Sequence, residues 1–203
     1  MNIRSLILRR RWLAAWLLLA IPASADAHTV ISGVGDFFGG VLHPLTTPTH
    51  LLVLLALGLL AGRQTPLNLR IPLAVFIPAS AVALLLTTTG LIKTVYPPIL
   101  IGLALIVSVL VAWGRPVPTI VLAGLFGLAA LALGLDSAVE NGSAMDVAKT
   151  LPGTWLGLIL AVADIAYYAS LFAKQKWQQV GVRVAGSWIT AASFMILAFA
   201  LRR

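Results

Sequence analysis

Apolar residues run in long blocks along this chain, and the short stretches between blocks hold most of the charge. Five blocks read as membrane-crossing helices: Leu69–Leu86, Pro97–Trp113, Val117–Leu135, Leu151–Phe172 and Val182–Leu201. A sixth, Pro48–Gly62, would make a helix of only about 22 Å, against about 30 Å of hydrocarbon core. Before it, Gly33–His43 (GVGDFFGGVLH) is apolar but too brief and glycine-rich to cross alone. It reads as a half-helix or re-entrant segment entering from the outer face. Irregular backbone survives at that depth only where protein or a water-filled cavity covers it, so a site is expected there. Small residues recur inside the spans, as in Gly124-x-x-Gly127, and suit close helix packing.

Composition agrees with the pattern. The 203 residues are 60% hydrophobic and 10% charged, with a mean hydropathy of +1.01. Soluble domains sit near 45–50% apolar and about 25% charged. The fold expected is an all-α integral membrane protein of six transmembrane helices plus the outer half-helix, occupying residues 28–203. Residues 1–27 form a signal peptide: Arg4, Arg9, Arg10 and Arg11, then the apolar run Trp12–Ile21, then the small-x-small pairs Ala23/Ala25 and Ala25/Ala27. Cleavage after Ala27 leaves His28 as the new N-terminus. The net charge of +8 suggests no nucleic acid, because the basic residues are scattered at the ends of apolar runs. With the N-terminus outside and six crossings, Arg63, Arg70, Arg115, Lys174, Lys176 and Arg183 fall inside. Asp36, Lys93, Asp136, Glu140, Asp146 and Lys149 fall outside, and only the tail Arg202-Arg203 opposes the positive-inside rule.

The three histidines, His28, His43 and His50, lie close together in the chain, with Asp36 among them. On an unbroken helix His43 and His50 would share a face about 10.5 Å apart along the axis. One ion cannot reach both at metal–nitrogen distances near 2 Å. Pro44 and Pro48 disfavour regular helix, so a turn over residues 43–48 would bring the imidazoles together, with helix resuming at Pro48. Imidazole and carboxylate donors suit Ni²⁺, Co²⁺, Cu²⁺ or Zn²⁺. His28 and Asp36 would recruit the ion. The competing reading of each histidine is ordinary: a surface side chain for His28, and a helix-start histidine bonded to a loop carbonyl for the other two.

Asp136 and Glu140 stand four apart at the outer end of the Val117–Leu135 block, one turn apart if helix persists, and give the outer face a bias towards cations. Asp164 is deeper, in LAVADIAYYASL. A carboxylate at mid-membrane costs at least about 2.5–3.5 kcal/mol, so it is expected to face the bundle interior, paired, protonated or lining an ion path. Tyr167 and Tyr168 are candidate partners. There are no cysteines, no glycine-rich phosphate loop and no HExxH, and no catalytic residue is expected.

The layout resembles the HupE/UreJ family, membrane proteins associated with hydrogenase and urease maturation and taken to be nickel or cobalt permeases. The likeness lies in a signal ending before a His, a Gly/Phe-rich stretch, His43-Pro44, and His50 entering a Leu/Ala helix. The family pattern HPxxGxDH reads here His43-Pro44-Leu45-Thr46-Thr47-Pro48-Thr49-His50, with Thr47 in place of Gly and Thr49 in place of Asp. A second His-rich family motif has no counterpart, since no His follows His50. The resemblance implies a multi-pass protein of the bacterial inner membrane that handles Ni²⁺ or Co²⁺ as cargo and has no prosthetic group. His43, His50, Asp36 and His28 would be its metal ligands, and Asp164, Asp136 and Glu140 its transport path. The alternative is a non-transporting scaffold for metalloenzyme or respiratory-complex assembly. Partners beyond the bilayer and the ion would be a second copy or an assembling metalloenzyme.

Overall fold

A computed structural model describes residues 35–90, 97–139 and 142–202. The expected signal peptide, His28, Lys93 and Glu140 lie outside these residues. The described chain is all-helical, without strands, in seven helices: α1 (Asp36–Thr46), α2 (Pro48–Gly62), α3 (Arg70–Thr87), α4 (Pro97–Trp113), α5 (Thr119–Leu135), α6 (Ala144–Leu171) and α7 (Lys176–Ala200). By length and hydropathy α3, α6 and α7 can each cross a bilayer, and the pair α1–α2 can do so together. At 17 residues, α4 and α5 are apolar but shorter.

Helix α2 is the centre. It packs against α1, α4, α5, α6 and α7. Apolar side chains on every side suit a helix surrounded by protein, and Val53, Leu54, Leu57 and Leu60 are fully buried. Around it, α3 pairs with α5, α4 with α7, and α1 with α6. Phe76 and Phe126 meet edge to face at 5.9 Å where α3 meets α5. The expected block at Val117 begins as helix only at Thr119, after Pro118. Helices α6 and α7 start earlier than the apolar blocks suggest. Ser143 and Asp146 close a reciprocal capping box that extends α6 outward, and Gln175 with Gln178 does the same for α7.

One end of the bundle is basic. Arg63 caps α2 and donates from Nη1 to the carbonyls of Leu110 (3.0 Å) and Val111 (3.3 Å) at the end of α4. Arg183 donates to the neighbouring Ala112 carbonyl at 3.1 Å. Two guanidiniums thus satisfy the last carbonyls and oppose the negative end of the α4 dipole. Burial, and then the nearby Arg183, holds the Arg63 guanidinium below its ordinary proton affinity.

Candidate metal centre

The chain does not turn over residues 43–48 as the prolines suggest. Helix α1 runs through Pro44 to Thr46, and the break is confined to Thr47 (φ −88°, ψ 112°). The residue before a proline is pushed to extended backbone, and Pro48 then sits at the first position of α2, where its missing N–H costs nothing. The loose carbonyl of His43 accepts from the Thr47 N–H at 3.0 Å and the Thr46 hydroxyl at 3.1 Å. The two helices meet at 70°. That single bend brings His43 and His50 together: the ring centroids are 5.3 Å apart and the planes perpendicular.

His50 is completely buried. Its Nε2 lies 3.0 Å from Oδ2 of Asp136, the residue that caps α5. A carboxylate oxygen accepts, so Nε2 donates; in the neutral ring Nδ1 then presents a lone pair. That Nδ1 is buried and has no hydrogen-bond partner among the described residues. A carboxylate fixing one imidazole nitrogen while the other points its lone pair into a site is the usual support of a metal-ligating histidine. His43 and Asp136 are each half-buried, so His50 lies inward of two residues that reach the surface. The acid that pairs with His50 is 86 residues away in sequence, and no local spacing points to it; the only hint is that both residues end apolar blocks on the same expected side.

Other expected ligands lie elsewhere. Asp36 opens α1, about 10.5 Å along the axis from His43, and its carboxylate faces Lys149 Nζ at 3.6 Å. Helix ends at Leu135 with Asp136 as its cap, and Glu140, the other acid expected there, lies outside the described residues. Among the described residues, no three His, Cys, Asp or Glu side chains converge as a metal-sized group.

Asp164 corrects a second expectation. It does not face the bundle interior but is exposed on the outside of α6. The core-facing positions of α6 are taken by Leu158, Ala161, Val162, Ala166 and Ala169, which pack towards α2, and at 100° per residue Asp164 falls off that stripe. Tyr167 and Tyr168 are exposed beside it.

The position of His43 depends on how α1 is held. Gly40 of α1 and Gly153 and Gly157 of α6 bring the two backbones into contact: a Cβ on any of them would strike the carbonyl of Thr150, Phe37 or Val41 respectively.

Compared with known proteins, the chain matches the family described as HupE / UreJ protein over residues 16–196. No curated protein and no solved structure matches it.

Proposed function

The chain belongs to the HupE / UreJ family, and on that premise we propose that it is a divalent-metal permease of the inner membrane, with Ni²⁺ or Co²⁺ as its cargo. Family membership by itself suggests a nickel- or cobalt-related accessory membrane protein, and the described helices suit a multi-pass membrane protein. The observation that carries this proposal is His50: buried, held at Nε2 by Asp136, with an Nδ1 that has no hydrogen-bond partner among the described residues and a ring whose centroid is 5.3 Å from that of His43. His43 and His50 bind the ion, Asp136 orients His50, and Thr49 or water completes the shell where the family pattern has an acid. His28 and Asp36 raise the local cation concentration outside.

In this reading α1–α2 forms one broken crossing and α3 to α7 the other five. The basic end of the bundle is cytoplasmic, in keeping with the positive-inside rule, and residues 1–27 are removed as a signal. Glu140 and Asp136 draw cations to the outer mouth. Asp164 receives the ion on the cytoplasmic side of the histidines, along the outer surface of α6. With no nucleotide motif to drive it, transport follows a gradient or the membrane potential. That potential supplies about 2.3 kcal/mol per charge per 100 mV, so about 4.6 kcal/mol for a divalent ion.

The lack of a three-donor cluster among the described residues favours the second reading, a scaffold in which His50–Asp136 is a structural bond. Calorimetric titration of Ni²⁺, Co²⁺, Cu²⁺ and Zn²⁺ into the purified protein separates the two. Saturable binding of one ion that is lost in His43→Ala/His50→Ala supports the permease. No binding by the wild type supports the scaffold.

A further inference from the structure

The exposed face of α6 has a pattern that the single-chain bundle leaves unused. Residues seven apart on a helix return to nearly the same side, so Gly157, Asp164 and Leu171 share one stripe. Helix α1 covers that stripe at Gly153 and Gly157. But α1 has 11 residues and α6 has 28, about 16 Å against about 42 Å. The half-helix ends at Thr46, and the stripe below it stays open. There Leu160, Tyr168 and Leu171 are 46%, 58% and 37% exposed. Asp164 lies in their midst, exposed, with no hydrogen bond or ion pair to any described residue. A carboxylate surrounded by leucine and tyrosine at membrane depth does not suit a lipid-facing surface.

We propose that this stripe pairs with the same stripe of a second copy, and that Asp164 of each copy accepts a hydrogen bond from the Tyr168 hydroxyl of the other. The chemistry is self-complementary. Each copy carries one strong acceptor and, four residues later on the same face, one phenolic donor. Copies inserted the same way pair in parallel about a two-fold axis along the membrane normal, which makes every such contact twice. Four residues span about 6 Å of helix, and helical side chains lean towards the N-terminus. The Tyr168 hydroxyl therefore rises to the level of Asp164 on the facing helix. The part of the ion route beyond the histidines is then walled by two copies rather than one. That lining role rests on the permease reading; the pairing does not.

The absence of cysteine makes the test direct. Leu160→Cys and Leu171→Cys, which flank Asp164, are oxidised in native membranes beside two controls on other exposed surfaces, Ile106→Cys in α4 and Phe194→Cys in α7. The pairing predicts a band at twice the monomer mass for the two α6 variants and none for the controls. Adding Tyr168→Phe or Asp164→Leu should lower the cross-linked fraction by about fivefold or more, while Asp164→Asn, which still accepts, retains most of it. No cross-link on α6, equal cross-links at all four positions, or a yield insensitive to Tyr168→Phe and Asp164→Leu would each overturn the pairing. Metal uptake measured on the same variants keeps the two ideas apart. In the reduced Leu160→Cys and Leu171→Cys variants with Asp164 and Tyr168 intact, cross-linking on oxidation but no uptake leaves the pairing and removes the permease; uptake without cross-linking does the reverse.

Discussion

Replacing Gly153 and Gly157 by alanine should weaken metal binding without touching any ligand. Each substitution places a methyl against backbone: Gly153→Ala meets the Phe37 carbonyl, and Gly157→Ala meets the carbonyl of Val41. Backbone cannot rotate away as a side chain can, so α1 as a whole has to lift by about 1 Å to restore ordinary carbon contact distances. Overpacking of this kind costs about 1–3 kcal/mol. Because both methyls push the same half-helix, the double variant should cost little more than the worse single one. His43 lies two residues beyond Val41 and moves with α1, whereas His50 stays fixed in the core by Asp136. Ligand distances in metal sites tolerate about 0.2 Å, so a 1 Å displacement should reduce Ni²⁺ affinity by about tenfold or more, equivalent to about 1.4 kcal/mol. The assay is calorimetric titration, with circular dichroism to show that helix content is unchanged. Gly124→Ala is the control, since a Cβ there meets nothing within 4 Å. Wild-type affinity in the folded Gly153→Ala/Gly157→Ala variant would refute the link between the α1–α6 contact and the histidine site.

Two further changes probe other contacts. Asp136→Ala removes the partner of the buried His50 Nε2 and frees the ring; loss of such an outer support typically lowers metal affinity about 10- to 100-fold, readable in the same titration, and Asp136→Asn should fall between the two. Arg63→Ala deletes two bonds to the end of α4 and should destabilise the bundle by about 1–3 kcal/mol, seen as a lower thermal midpoint in detergent, with Ni²⁺ affinity of the folded fraction unchanged because Arg63 lies at the opposite end of α2 from His50.

The apolar blocks located each described helix because membrane-crossing segments must be long and apolar, and the proline pair marked where the backbone would break. The details went differently where local chemistry competes. A proline in the last turn of α1 was tolerated, so the bend fell at Thr47 alone. Capping boxes at Ser143 and Gln175 extended α6 and α7 beyond their apolar runs. The proximity of His43 and His50 was legible because a single bend joins them. The bond from His50 to Asp136 was not, since it joins two different helices across the bundle. Asp164 misled because its depth is readable from its position in the block, but its side of the helix depends on which faces α1 and α2 cover. Glycines show the same limit: of the pair Gly124 and Gly127, Gly127 packs closely on Val75 but Gly124 meets open space, while Gly153 and Gly157, which no short motif singles out, touch the α1 backbone.

Transport itself is read from uptake of labelled Ni²⁺ into proteoliposomes holding the purified protein, with an inside-negative potential imposed. Permeation through the histidine site requires saturable uptake that rises with the potential, is abolished in His43→Ala/His50→Ala, and slows in Asp164→Asn. Uptake no greater than that of protein-free vesicles at any potential, from protein shown to be folded, would contradict it.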